Sequence, residues 1–406
     1  NYFNGEDFTD WRQHDRNVPY KVIRLPLLRT LLNRRSDGFT TRWLFRAEDL
    51  ALRFRIFARV GREVWFGNVR TICLGELLAS AWMLRVFRLA FGVRTIVYIH
   101  GEEITREDDY DVGHQRARRA LHTADAIVVV SRFTYAAVEA LIGSAHRNKI
   151  HQIENGVDSQ LFTPGAKSPA LLARYGLEGQ FTFVSVCRIV EKKGIDTAIR
   201  AFAEVVSHHP NTRYVIVGDG DFAPTLVALV IELKLVEKVI FAGRVAAEEL
   251  VDHYRLGDVF VMPNRRMPDG DTEGFGLVFL EANSCGIPVI AGCDGGSTDA
   301  VTHESNGLVV EGSSVEQVCT AMLRMRADHA LRERLAAGGL ARTERAGWID
   351  KAKALTALAA TPSKPFADEL GSWPQIIMVM LSFLILLIVA LPWLLLLRLQ
   401  MVLRLR

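Results

Sequence analysis

Short apolar runs, each ending in a glycine or polar loop and followed by residues at helical spacing, recur along this chain in two successive series. Val64–Phe66, Arg94–Ile99, Ala126–Val130 and Lys149–Ile153 make the first series. Phe181–Val186, Tyr214–Val217, Val239–Phe241, Val259–Met262, Val289–Ala291 and Asn306–Val310 make the second. Continuous apolar runs of this length suit strands buried on both faces, and strands alternating with helices build βαβ units and a parallel sheet. The pattern predicts an α/β protein with two doubly wound parallel-sheet halves, whose ligands would lie beyond the carboxyl ends of the strands. Helices are expected over Ile72–Phe91, Ile195–Ser207 and from Leu277 towards Gly286, with two more between residues 315 and 345. Glu76, Arg85 and Arg88 mark the first of these as a buried domain helix rather than a membrane span. Arg42–Arg59 has apolar residues at helical spacing among several arginines, which reads as a solvated amphipathic helix or one lying near anionic lipid.

At 406 residues the chain has room for two ordinary domains. Its 49 Lys and Arg against 46 Asp and Glu make no case for nucleic acid. The five cysteines are scattered and form no C-x-x-C, so neither a zinc site nor a disulfide framework is expected, and a reducing cytosol fits. Cys187, Cys285 and Cys319 stand in apolar surroundings and read as core thiols. No basic stub with an apolar core follows Asn1, so no signal peptide is expected. Ile376–Leu397 carries no charge. A helix of that length, at ~1.5 Å per residue, spans ~30 Å of hydrocarbon, which predicts a membrane segment over 375–397.

Candidate site residues cluster at the expected strand ends. In Asp269–Gly292, Glu273 lies in a loop and Glu281 about one turn into the helix that follows, both on one side of a cleft. Gly274 and Gly276 flank Phe275 and let backbone N–H groups approach a ligand, to which the helix start adds a positive dipole end. On their own the two Glu read as a capping residue and a solvated helix residue, but two carboxylates at two depths also suit a polyhydroxyl ligand, since each accepts hydrogen bonds from paired hydroxyls. Arg188 and Lys193 lie five apart in the loop after a strand and before a helix, a position that suits either ordinary surface charge or a pair of cations facing an anion. Lys192 competes with Lys193 for that role, and the Gly194 that follows favours Lys193. His100 closes another strand, as a functional group or as a packed end residue. Asp219-Gly220-Asp221 and Asp269-Gly270-Asp271 sit in glycine loops, and no metal is assigned to them.

The wording E-G-F-G-L-V-F-L-E-A-N-S-C-G-I-P-V-I-A-G resembles the Glu-x7-Glu signature of retaining, family-4-type glycosyltransferases with the GT-B fold, in the branch that includes mannosyltransferases acting on membrane lipids. R-I-V-E-K-K-G-I-D-T-A-I, H-G-E-E, V-S-R-F-T and I-E-N-G-V-D-S-Q-L-F-T-P resemble further elements of that family, and the likeness runs from about residue 20 to 360. The resemblance implies two Rossmann-like domains facing a cleft, 1–164 on the acceptor side and 165–362 on the nucleotide-sugar side. It places sugar hydroxyls at Glu273, ribose at Glu281 and the donor diphosphate at Arg188 and Lys193. His100 would stand near the transferred sugar and the backbone at Arg244 and Val245 would face the base. N–H groups of Gly274, Phe275, Gly276 and Leu277 would reach sugar and phosphate. It also implies transfer of a hexose from a UDP- or GDP-linked donor to a lipid-linked or glycan acceptor, without a metal, in cell-envelope glycolipid or polysaccharide synthesis. Attack would be front-face, with the leaving phosphate helping to deprotonate the acceptor.

Relatives open with a strand and a Gly-Gly loop that nothing in Asn1–Tyr20 matches, so the chain is expected to be an N-terminally incomplete fragment. Nucleotide sugars are cytosolic, which places the catalytic domains on the cytoplasmic side of a membrane. By charge bias Arg398, Arg404 and Arg406 put the end of the 375–397 segment on the same side, so either a re-entrant helix kinked at Pro392 or a bias overruled by the folded domains is expected, and the topology stays open. Two rivals share these residues: a phosphorylase or epimerase of the same fold, and a non-catalytic membrane-anchored protein that keeps the sugar-nucleotide site for binding.

Overall fold

The computed structural model describes residues 15–25, 38–106 and 111–362, and the expected membrane segment over 375–397 lies outside them. Among the described residues no helix is long and apolar enough to cross a membrane. The described chain forms two compact units, one ending at Val69 and the other beginning at Arg70.

The first unit is dominated by α1 (Phe39–Phe66), a helix of 28 residues. It overruns the expected amphipathic stretch at both ends and absorbs Val64–Phe66, so the strand expected there does not form. The cause is local: Gly67 donates its N–H to the Glu63 carbonyl at 2.8 Å, and Arg59 pairs with Glu63 one turn on at 3.1 Å. Three apolar residues do not outweigh a helix already propagating through them.

The second unit begins with β1 (Thr71–Leu74), α2 (Ala81–Phe91), β2 (Arg94–Ile99), α3 (Glu102–Thr105), α4 (Gln115–Thr123), β3 (Ala126–Val129), α5 (Arg132–Ile142) and β4 (Ile150–Gln152). The four strands pair in the order β1-β2-β3-β4, all parallel. The helix expected over Ile72–Phe91 is therefore a strand and a shorter helix. Glu76 breaks the run by accepting the Ala79 N–H, at 3.1 and 2.8 Å to its two oxygens, which turns the chain before α2. The sheet buries both faces with a period of two. Val97, Ile99, Ile127 and Val129 face α2, α4 and α5, whereas Ile96, Ala126 and Val128 face the other way.

The chain continues with α6 (Pro169–Tyr175), β5 (Phe181–Val186), α7 (Ile195–His208), β6 (Thr212–Val217), α8 (Ala223–Glu232), β7 (Val239–Gly243), α9 (Ala247–Arg255), β8 (Val259–Met262), α10 (Leu277–Ser284), β9 (Val289–Gly292), α11 (Ser297–Ala300), β10 (Gly307–Val310), α12 (Val315–Ala327) and α13 (His329–Glu344). Its six strands are parallel in the order β7-β6-β5-β8-β9-β10. The connections from β5 and from β8 leave in opposite directions, so a crevice opens between their carboxyl ends.

One further helix, α14 (Trp348–Ala360), leaves the second sheet. Leu355, Leu358 and Ala359 pack on Ile96, Ala126, Val128 and Ile153 of the first sheet, and the Thr71 hydroxyl donates to the Ala359 carbonyl at 2.7 Å. A domain boundary at 362 groups α14 with the second half, whereas its side chains cover the first. The turn into it is fixed by Val157, whose N–H donates to the Ala346 carbonyl at 2.8 Å, and by Arg342, which pairs with Glu154 at 2.9 Å.

Candidate functional site

Arg188, Lys193, Glu273 and Glu281 stand on the segments that follow β5 and β8, the two strands flanking the crevice. After β5 the chain passes Arg188, makes a single 3-10 turn over Glu191–Lys193 and enters α7 through Gly194. Gly194 has φ +69°, and a Cβ there would come within 1.9 Å of the Pro263 carbonyl oxygen, so the two loops can cross only at a glycine. The crossing sets Lys193 against Glu273 in an ion pair whose side chains are almost buried. Lys192, the competing lysine, turns the other way, to Asp271 Oδ1 at 2.6 Å and the Thr272 carbonyl at 3.3 Å. Arg265 braces the same loops by reaching Asp196 at 3.0 Å and Thr197 at 3.0 Å. Arg188 is exposed, and its side chain makes no hydrogen bond or ion pair with the described residues, while its carbonyl accepts the Val190 N–H at 2.9 Å.

Burial opposes the charge on Glu273, but the Lys193 ammonium, the Lys192 charge and the Phe275 N–H outweigh it, and the carboxyl is held below its usual range. Lys193 mirrors this: burial works against its charge, Glu273 restores it, and its pKa is raised. Both groups are therefore charged at neutral pH.

Gly274 brings the two halves of the second unit together. Its Cβ position lies 1.8 Å from the His100 carbonyl oxygen, so only a glycine fits. Ser131, the N-cap of α5 in a capping box with Thr134, donates its hydroxyl to the Gly274 carbonyl at 2.8 Å. On the far side Gly296 donates its N–H to the Glu273 carbonyl at 2.7 Å. His100 is exposed, stacks on Tyr98 with ring centroids 5.1 Å apart, and donates its backbone N–H to Glu103 at 3.0 Å. Gly276 then opens α10 at φ +89° with no side-chain cap, leaving the first N–H groups of the helix aimed at the crevice. Phe275 is buried and Leu277 half-buried.

Glu281 sits in the second turn of α10. The phenol of Tyr254, fully buried at the end of α9, donates to Glu281 Oε2 at 2.5 Å. Burial raises the Glu281 pKa, and the Tyr254 hydrogen bond opposes that rise. Arg244 and Val245 follow β7, the first exposed and the second half-buried. The two Asp-x-Asp elements are engaged locally: Asp269 pairs with Arg106 at 3.1 Å, Asp271 with Lys192, and Asp219 accepts the Gly220 N–H at 2.8 Å.

Sequence reasoning missed the contacts made by Ser131, Tyr254 and the Arg132–Asp299 pair, in which the Arg132 backbone N–H also donates to Asp299 at 2.6 Å. Nothing in the sequence near Ser131 points to its partner 143 residues away. Tyr254 stands among apolar residues at helical spacing, which marks a core position and says nothing of its hydroxyl.

What the arrangement can do chemically is bind a polyhydroxyl anion. A lysine, an exposed arginine and two helix starts supply positive potential, and two carboxylates accept from hydroxyls. Residues 170–342 match the model of the glycosyl transferases group 1, and residues 73–161 that of glycosyltransferase family 4. The chain is 33% identical to the GDP-mannose-dependent alpha-(1-6)-phosphatidylinositol monomannoside mannosyltransferase of Mycolicibacterium smegmatis, over 67% of this chain and 71% of that one. It is 31% identical to the corresponding monoacylated-substrate enzyme of Corynebacterium glutamicum, over 82% and 81%. Among solved structures it is similar to Anabaena Alr3699/HepE in complex with UDP and glucose, with a TM-score of 0.61 and 19% identity over 72% of this chain and 78% of that one. At that identity the likeness is one of fold, two parallel-sheet α/β domains of the GT-B kind.

Proposed function

Because the chain belongs to the group 1, family 4 glycosyltransferases and is a hexosyltransferase, we propose that it moves mannose from GDP-mannose to a phosphatidylinositol-based glycolipid. The observation that carries the reading is the Lys193–Glu273 pair at the β5–β8 crevice, below the open N-terminus of α10. A donor diphosphate offers Lys193 a second anion and draws on Arg188 as well. Glu273 is then released to accept hydrogen bonds from the sugar. Charge building on the leaving diphosphate meets fixed cations and backbone N–H groups that need no reorganisation. Glu281 takes the ribose and the backbone at Arg244 and Val245 faces the base. His100 lies on the acceptor side, where its exposed ring meets the transferred sugar.

Transfer proceeds with retention by front-face attack, the leaving phosphate assisting removal of the acceptor proton. The donor names of the relatives and the lipid in their acceptors support the substrate reading. The uncharged run over 376–397 fits an acceptor held in a bilayer, with the catalytic halves on the cytosolic face.

Release of nucleotide diphosphate from GDP- and UDP-sugars, with and without phosphatidylinositol mannoside, tests this. Lipid-dependent GDP release from GDP-mannose is expected, with kcat reduced about a hundredfold or more in Glu273→Ala. Release from a UDP-sugar alone, or equal rates in Glu273→Ala, would overturn it.

A further inference from the structure

The Glu281 carboxylate faces two demands that a lone carboxylate on a short helix meets poorly. It must stay ionised in a place where burial favours the neutral acid, and it must hold one orientation although its side chain has three rotatable bonds. Tyr254 answers both. Its ring is locked: the Phe162 edge meets it at 5.7 Å between centroids, and Phe260 stacks on it at 5.8 Å. Phe260 is in turn held edge-on by Phe279 of α10, the helix that carries Glu281. The phenol oxygen therefore has one position, and from it the hydroxyl donates to Glu281 Oε2 at 2.5 Å. Glu281 Oε1 has no hydrogen-bond partner among the described residues.

We propose that Tyr254 is a positioning residue for the donor: it occupies one Glu281 oxygen so that the carboxylate presents the other, in a fixed orientation, to the ribose hydroxyls of the nucleotide. The proposal rests on the reading of Glu281 as the ribose contact. It assigns to a core aromatic a part in selecting ribose over deoxyribose, and it makes donor affinity, rather than turnover, the quantity that Tyr254 controls. A hydroxyl fully desolvated against a carboxylate has no water to replace it, so its removal is felt in full by the remaining partner.

Tyr254→Phe keeps the ring and removes the hydroxyl. Binding of GDP and of 2′,3′-dideoxy-GDP to the full chain is measured by calorimetry, beside donor KM and kcat. Tyr254→Phe is expected to weaken GDP about tenfold, to leave the dideoxy nucleotide unchanged and to raise donor KM with kcat nearly constant. The acid limb of donor binding should also move to higher pH, since the hydroxyl opposes the upward push of burial on Glu281. Equal weakening of both nucleotides, or of neither, would overturn the proposal. Glu281→Gln separates the two layers. If it still distinguishes ribose from dideoxyribose as the wild type does, the ribose reading fails and the proposal with it. If Glu281→Gln abolishes that distinction while Tyr254→Phe keeps it, only the role of Tyr254 fails. Should Tyr254→Phe prove too unstable to assay, the double variant Tyr254→Phe/Glu281→Gln decides: GDP affinity equal to that of Glu281→Gln alone supports action through Glu281, and weaker binding overturns it.

Discussion

Lys193 and Glu273 form a nearly buried ion pair where the loops after β5 and β8 meet. A buried ion pair is weak evidence of net stabilisation, but deleting one partner strands the other. Lys193→Ala is therefore expected to lower unfolding free energy by about 3 kcal/mol at neutral pH. The sign of its pH dependence follows from the two groups. Glu273 is depressed in the folded state, so its contribution is present above its unfolded pKa and is lost as pH falls through the folded one. Lys193 is raised, so its contribution is present below its unfolded pKa and is lost as pH rises through the folded one. The gap between wild type and variant should be widest between these limits and shrink on acidification, which urea titrations across acid and neutral pH can measure. If Lys193 faces the leaving diphosphate as proposed, the same variant should lose kcat by about two orders of magnitude, because Arg188 and the helix starts then meet that charge without it.

At the scale of elements, glycines decide where the loops cross. Gly274 sits where a Cβ would fall 1.8 Å from the His100 carbonyl oxygen, a backbone atom with no room to give. Gly274→Ala should lower the melting temperature and cut activity more than Gly75→Ala, whose Cβ meets nothing within 4 Å and whose φ is not in the left-handed region. Equal effects in the two variants would show that the close approach is unimportant. Much of this level was legible beforehand. The strands of the second half, the break at Gly194 and the start of α10 follow from apolar runs punctuated by glycine, and the Arg188/Lys193 and Glu273/Glu281 spacings drew attention to two loops that meet through the Lys193–Glu273 pair. Two kinds of feature escaped. Val64–Phe66 and Thr71–Leu74 are short segments whose own preference was overridden, in one case by a helix already under way and in the other by pairing with β2. The contacts of Ser131 and Tyr254 join positions far apart in sequence, and a single chain carries no signal of such pairing.

The second unit as a whole is held by a helix that returns. Leu355 and Leu358 of α14 cover the face of the first sheet made by Ile96, Ala126 and Val128, so its two halves are interlocked rather than strung in series. Leu358→Asp puts a charge against that face and should cost about 2–3 kcal/mol. Limited proteolysis should then cut first around β1 and β2, while the second sheet persists. Loss of both halves together would show that they unfold as one. The interlock also has a consequence in time. On a ribosome adding ~5–20 residues each second, β4 emerges roughly ten to forty seconds before α14 can reach it. Throughout that interval the nascent first sheet carries an uncovered oily face, so every newly made copy passes through a window in which chaperone capacity decides its fate.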